Sequence, residues 1–219
     1  MRLLLAFISS LLLGGCQLFS ESPVAPADEV RLQGQLRLQD GQWLLQPCGE
    51  ARLFQLDSRQ LPGFNQELQR LAEDAGPVLF ADLGGYLQAA AQQDGLLQLT
   101  QRWRLQGEGP TCNDMAFSRL LLRATGNEPA WSIQLGQRGL LLSRPGQPAL
   151  ALPYIEEQLP DGRLQVSSQA DGEDIQLWLV SARCVDSMTG AISHLRAELR
   201  LNGQRHTGCA YFGGARQAR

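Results

Sequence analysis

From Val30 onward the side chains alternate with a period of two. Val30, Leu32, Gly34, Leu36 and Leu38 are interleaved with Arg31, Gln33, Gln35 and Arg37, and apolar residues resume at Trp43-Leu44-Leu45 after Asp40-Gly41. That period belongs to a strand with one face buried, and an Asp-Gly pair between two such runs signals a tight hairpin. A third strand fits residues 51–56. The period then changes. Pro62-Gly63 introduces FNQELQRLAEDAG, in which Phe64, Leu68, Leu71 and Ala75 recur on one helical face until Gly76-Pro77 stops it. Residues 78–87 and 96–105 read as strands four and five. Three strands, a helix and two strands is the element order of an OB-fold, a small five-stranded barrel. The competing reading is another small β-rich barrel with one helix.

The segment GEGPTCND at 107–114 has the composition of a junction. Beyond it, strand signals repeat at 117–124, 130–135, 140–143, 149–152, 164–168, 175–181, 195–201 and 205–211. Pro145-Gly146, Asp161-Gly162, Asp171-Gly172 and Asn202-Gly203 punctuate them. Many short strands with regular turns predict an antiparallel barrel or sandwich. The expected fold class is therefore mainly β. An OB-like five-stranded barrel with one helix spans 30–108, an antiparallel β barrel or sandwich follows over 115–212, and 213–219 form a disordered tail.

The first residues read differently. Arg2 precedes a run from Leu3 to Leu13 that is apolar except for Ser9 and Ser10. A membrane-spanning helix needs about 20 apolar residues, whereas a positive start and a short apolar centre describe a secretory signal peptide. Leu13-Gly14-Gly15-Cys16 resembles the lipobox of bacterial lipoproteins, which implies a signal peptide over 1–15 and acylation of Cys16. Several acyl chains, each buried methylene adding about 0.8 kcal/mol, make such an anchor permanent. In that resemblance Gln17, in place of Asp, implies sorting to the outer membrane. Residues 16–29, with two prolines and no periodicity, read as a tether between lipid and fold.

Composition narrows the chemistry. The net charge is −3, and all 19 basic residues are arginine. Nucleic-acid binding, which rests on clustered Lys and Arg, is not expected. Without lysine there is no Schiff-base chemistry and no phosphate-binding P-loop. Once Cys16 is assigned to lipid, Cys48, Cys112, Cys184 and Cys209 remain, an even number in an exported chain. Of three connectivities, Cys48–Cys112 with Cys184–Cys209 is favoured because each pair stays local to one half. No CxxC occurs and the spacings fit no zinc site, so neither a metal nor a cofactor is expected.

Three motifs lie in the second half: ATGNEPAW at 124–131, CVDSMTG at 184–190 and NGQRHTGCA at 202–210. Together they resemble a family of bacterial envelope proteins and lipoproteins with a GNEPFW-like motif, a C-x-D-x-M-[ST]-G segment and a late glycine-cysteine. That resemblance implies a β-rich periplasmic domain, sometimes found beside META/HslJ-like domains, and no particular reaction. Ala130 departs from the pattern. The first half is similar in layout to the OB-fold domain of NlpE-type lipoproteins, without their metal-responsive cysteine pair.

Asn127, Glu128, Trp131 and Asp186 are the candidate binding residues. Gly126-Asn127 is expected to supply a left-handed or turn conformation. Glu128 beside Trp131 combines a charge with an apolar plate, although a strand-entry turn with Trp131 as a core plug is the preferred account. Asp186 can bind a ligand or hydrogen-bond a turn. His194 and His206 could face each other across the Asn202-Gly203 hairpin, a pairing that would suit a metal or a pH sensor, but without an obvious third ligand surface positions are expected. Asp171, Glu173 and Asp174 read as a solvated tip, and Trp43, Phe54 and Trp103 as stacking surfaces or core. No GxSxG, HExxH or glycine-rich phosphate loop occurs, so no catalytic residue is assigned. The sequence thus predicts an outer-membrane lipoprotein that binds an envelope protein or glycan without catalysis. The alternatives are a hydrolase using carboxylates such as Glu128 and Asp186, and a metal-sensing or stress-signalling lipoprotein.

Overall fold

The computed structural model describes residues 28–114 and 116–216. The expected signal peptide, Cys16 and the tether up to residue 27 lie outside them.

The first half contains β1 (Val30–Gln39), β2 (Gln42–Pro47), β3 (Phe54–Asp57), α1 (Phe64–Ala75), β4 (Val78–Gln88) and β5 (Gly95–Gln106). β1 and β2 join through Asp40-Gly41, both at positive φ (50° and 77°), as a two-residue primed turn requires. β1 pairs with β2 and β4, β2 with β3, and β4 with β5. A parallel β3–β5 pairing closes the ring. This is the OB-like barrel expected from the element order. Leu36, Leu45, Leu83, Leu97 and Leu99 fill it, and Phe64, Leu68 and Leu71 of α1 plug one end. β3 starts later than its apolar pattern suggested, because its ladder to β5 begins only at Phe54.

The second half opens with a 3-10 turn (Phe117–Arg119), where strand had been expected from residue 117. β6 (Leu120–Asn127), β7 (Ala130–Gly136), β8 (Gly139–Ser143) and β9 (Leu150–Leu152) form a meander. β10 (Ile155–Gln158), β11 (Leu164–Ala170), β12 (Glu173–Val185), β13 (Ile192–Leu201) and β14 (Gln204–Phe212) form a second, and β14 pairs with β6. The inner faces of both meanders feed one core that includes Ile133, Leu142, Val166, Leu177 and Leu199, so this antiparallel sheet folds over on itself. β10 escaped the sequence reading because all four of its side chains are exposed.

The halves are not separate beads. Ile192 and Ser193 of β13 pair with Leu105 and Arg104 of β5, making one continuous fourteen-stranded sheet. Ile192 is buried in the core of the first half. Phe80 from the barrel packs edge-on against Phe117, with centroids 5.3 Å apart, in a small cluster that includes the Cys48–Cys112 disulfide. Residues 213–216, expected in a disordered tail, are ordered instead. The Gly213 and Ala215 amides donate to Leu121 O and Leu120 O, and Arg31 Nη1 donates to Arg216 O at 2.9 Å. Among the described residues no helix is long and apolar enough to cross a membrane.

Candidate functional site

The GNEPAW segment is a hairpin. Asn127 pairs with Ala130, which leaves Glu128-Pro129 as a two-residue connection containing a cis peptide bond. Gly126 and Asn127 are extended strand, not the left-handed turn expected of them. The glycine is needed for room. A Cβ at position 126 would stand 2.3 Å from Trp131 Nε1 and 2.4 Å from Thr207 O. Trp131 is 5% exposed and belongs to the core, so it supports the hairpin from beneath. Glu128 stands exposed at the tip.

The CVDSMTG segment approaches from the other side. β12 runs to Val185 with a register shift between Ser181 and Cys184, where a bulge adds one residue before the ladder to β13 resumes at Cys184 and Val185. Asp186 then organises the turn. Its Oδ1 accepts hydrogen bonds from the amides of Met188 (3.0 Å) and Thr189 (2.9 Å) and from the Thr189 hydroxyl (3.0 Å). Its Oδ2 accepts from Asn127 Nδ2 at 3.2 Å, and the same nitrogen donates to Ser187 Oγ at 2.9 Å. Burial acts to raise the Asp186 pKa. The hydrogen bonds from Thr189, Met188 and Asn127 outweigh it, and the carboxyl lies below its ordinary range. Two of the motifs are therefore bonded directly to each other.

The third motif completes the arrangement. Cys209 on β14 is disulfide-bonded to Cys184 on β12, and Thr125 on β6 pairs with Cys209. Together the three segments line a groove of about 770 Å³ on the outer face of β12, β13, β14 and β6. Its walls combine the exposed apolar side chains of Val180 and Val185 with Trp178 and Thr207. Arg205 pairs with Glu198 at 2.7 Å, and Arg196 Nε donates to the Arg183 carbonyl at 3.2 Å. Sequence reasoning named Asn127, Glu128 and Asp186 but missed Trp178, Arg196 and Thr207. The only available signal was alternation, which places Trp178 on the solvent face of a strand whose neighbours Leu177 and Leu179 are buried.

The remaining candidates disperse. His206 pairs across the hairpin with Leu199, not with His194. His194 lies at the junction, its ring centroid 4.8 Å from Trp103 and 5.2 Å from Phe212, with Nδ1 2.9 Å from the Trp103 carbonyl. A carbonyl only accepts, so Nδ1 carries the proton. The four cysteines are paired, and among the described residues no cluster of His, Cys, Asp and Glu could hold a metal. Glu173 pairs with Arg144 at 2.5 Å and accepts from Asn202 at 2.8 Å, which ties the acidic tip to its neighbours. Phe54 is buried, while Trp43 and Trp103 are half-buried.

No family model, no curated protein and no solved structure matches this chain.

Proposed function

We propose that this chain is a lipid-anchored envelope protein whose second half binds an envelope component, protein or glycan, in the groove between its GNEPAW hairpin and its Asp186 turn. Cys16 carries the lipid, and Gln17 directs the protein to the outer membrane, where the folded part faces the periplasm. The observation that carries the reading is convergence. Segments 126–128, 184–187 and 207–209 lie far apart in sequence, yet they line one groove with mixed apolar, amide and charged walls. Concave surfaces of this size with a few convergent polar groups are the usual form of a ligand site.

The noncatalytic reading is favoured by Asp186, whose carboxylate is taken up in holding the turn and cannot serve as a general acid. Both of its oxygens accept hydrogen bonds that hold the turn, and an ionised carboxylate used in this way has no proton to donate. The hydrolase alternative would therefore need Glu128 as its acid, with Asp186 confined to the role of base or nucleophile. A photocrosslinking side chain at position 128, expressed in the native envelope beside a control at Ser22, tests the reading. A discrete adduct from position 128 and none from 22 is expected. Equal or absent adducts would return the hairpin to a purely structural role.

A further inference from the structure

The barrel carries a second groove of different chemistry, independent of the one above. It lies where the β1–β2 turn, β3 and α1 meet, encloses about 860 Å³, and has the half-buried Trp43 in its wall. Leu38, 48% exposed, stands directly across the β1–β2 ladder from Trp43. Around this apolar plate stand the amides of Gln42, Gln55, Asn65 and Gln69 and the hydroxyl of Ser58. Among the described residues, the side chains of Gln42, Gln55 and Gln69 make no hydrogen bond to the protein, while Ser58 Oγ donates to Asn65 Oδ1 at 3.2 Å. Glu73 is the single ionisable group in the lining. The groove of the second half, by contrast, has six charged side chains in its lining.

From this composition we infer that the barrel-end groove binds a neutral oligosaccharide. A pyranose ring has an apolar face of C–H groups that stacks on an aromatic plate, and a rim of hydroxyls that both donate and accept. An amide likewise offers two donors and two acceptor lone pairs, so a ring of free amides matches a ring of hydroxyls without any charge to desolvate. A phosphorylated or otherwise anionic ligand finds no cation here, since no arginine lines the groove.

The test is titration of the full-length lipidated chain in detergent micelles with chitotetraose and cellotetraose, read by calorimetry. Saturable binding of at least one is expected, unchanged at about 1 M salt, where exposed charges are screened within about 3 Å. Trp43→Ala should weaken it by about tenfold or more. Because Trp43 also contacts the core, Gln55→Ala and Gln69→Ala provide the decisive variants. Each removes an amide that makes no hydrogen bond among the described residues and should weaken binding several-fold, while Gln137→Ala on the β7–β8 turn should not. Binding of neither sugar would overturn the inference, as would affinity that collapses in salt or survives both glutamine substitutions.

Discussion

At position 126 the space left for a side chain is smaller than a methyl group. Its would-be Cβ meets backbone on one side and the Trp131 indole on the other. Gly126→Ala should therefore force the hairpin apart and cost about 1–3 kcal/mol, the usual range for overpacking. Urea unfolding at constant m-value would measure it, and an unchanged midpoint would show that the hairpin has more slack than this geometry allows. His194 gives the corresponding pH prediction. Burial drives its pKa below the ordinary value near 6.5, and the hydrogen bond to Trp103 and the charge of Asp82 oppose this only in part. The unfolded chain thus takes up its proton first. The contribution of His194 is complete above about pH 6.5 and is lost as the pH falls toward the folded-state pKa. Stability measured between about pH 7 and about pH 5 should fall with acidification, and His194→Phe should flatten that slope. An equal slope in both proteins would assign the acid sensitivity elsewhere.

Among the elements, the legible ones were those whose physics is local. The Asp40-Gly41, Asp171-Gly172 and Asn202-Gly203 turns all place both central residues at positive φ, and α1 follows its apolar stripe from Phe64. β10 was not legible, because an exposed edge strand has no burial pattern to leave in the sequence. Nor was the bulge in β12, whose extra residue matters only through its partner strand. The same limit applied to the site. The motifs themselves were visible, but the hydrogen bonds from Asn127 to Asp186 and Ser187 join residues about 60 positions apart. Gly126 shows why residue type alone misled: its reason is a neighbour's backbone, not its own φ. The Cys184–Cys209 bond staples this assembly across a separation of 25 residues. Loop-closure reasoning gives it up to about 3.5 kcal/mol. Replacing both cysteines with serine should lower the unfolding midpoint accordingly and loosen the Asp186 turn, seen as faster amide exchange at Met188 and Thr189. Unchanged exchange there would mean that the turn stands without the bond.

The whole molecule is held at its waist by charge as well as by sheet. Arg104 is 2% exposed, its guanidinium 3.5 Å from the Tyr211 ring centroid and 4.9 Å from that of Phe80. Burial pulls its pKa down to about 10, which still leaves it charged near neutrality. The ring faces join the Gln106 side chain and the Pro110 carbonyl, at 3.0 Å, around this cation, and so bring β5 of one half and β14 of the other together. Glu67 on α1 receives Arg102 from β5 and Arg183 from β12, at 3.0 Å for the second. With the β5–β13 ladder, these contacts predict that the two halves unfold together. Far-ultraviolet circular dichroism and tryptophan fluorescence should give coincident urea transitions, whereas two separated transitions would show the halves to be thermodynamically independent.

The central claim is that three distant segments make one binding groove, and crosslinking from each segment in turn tests it most directly. Photocrosslinking side chains placed singly at Glu128, Ser187 and Thr207 in the native envelope should capture the same species, and a probe at Gln137, outside the groove, should not capture it. Three different adducts, or the same adduct from Gln137, would contradict the account.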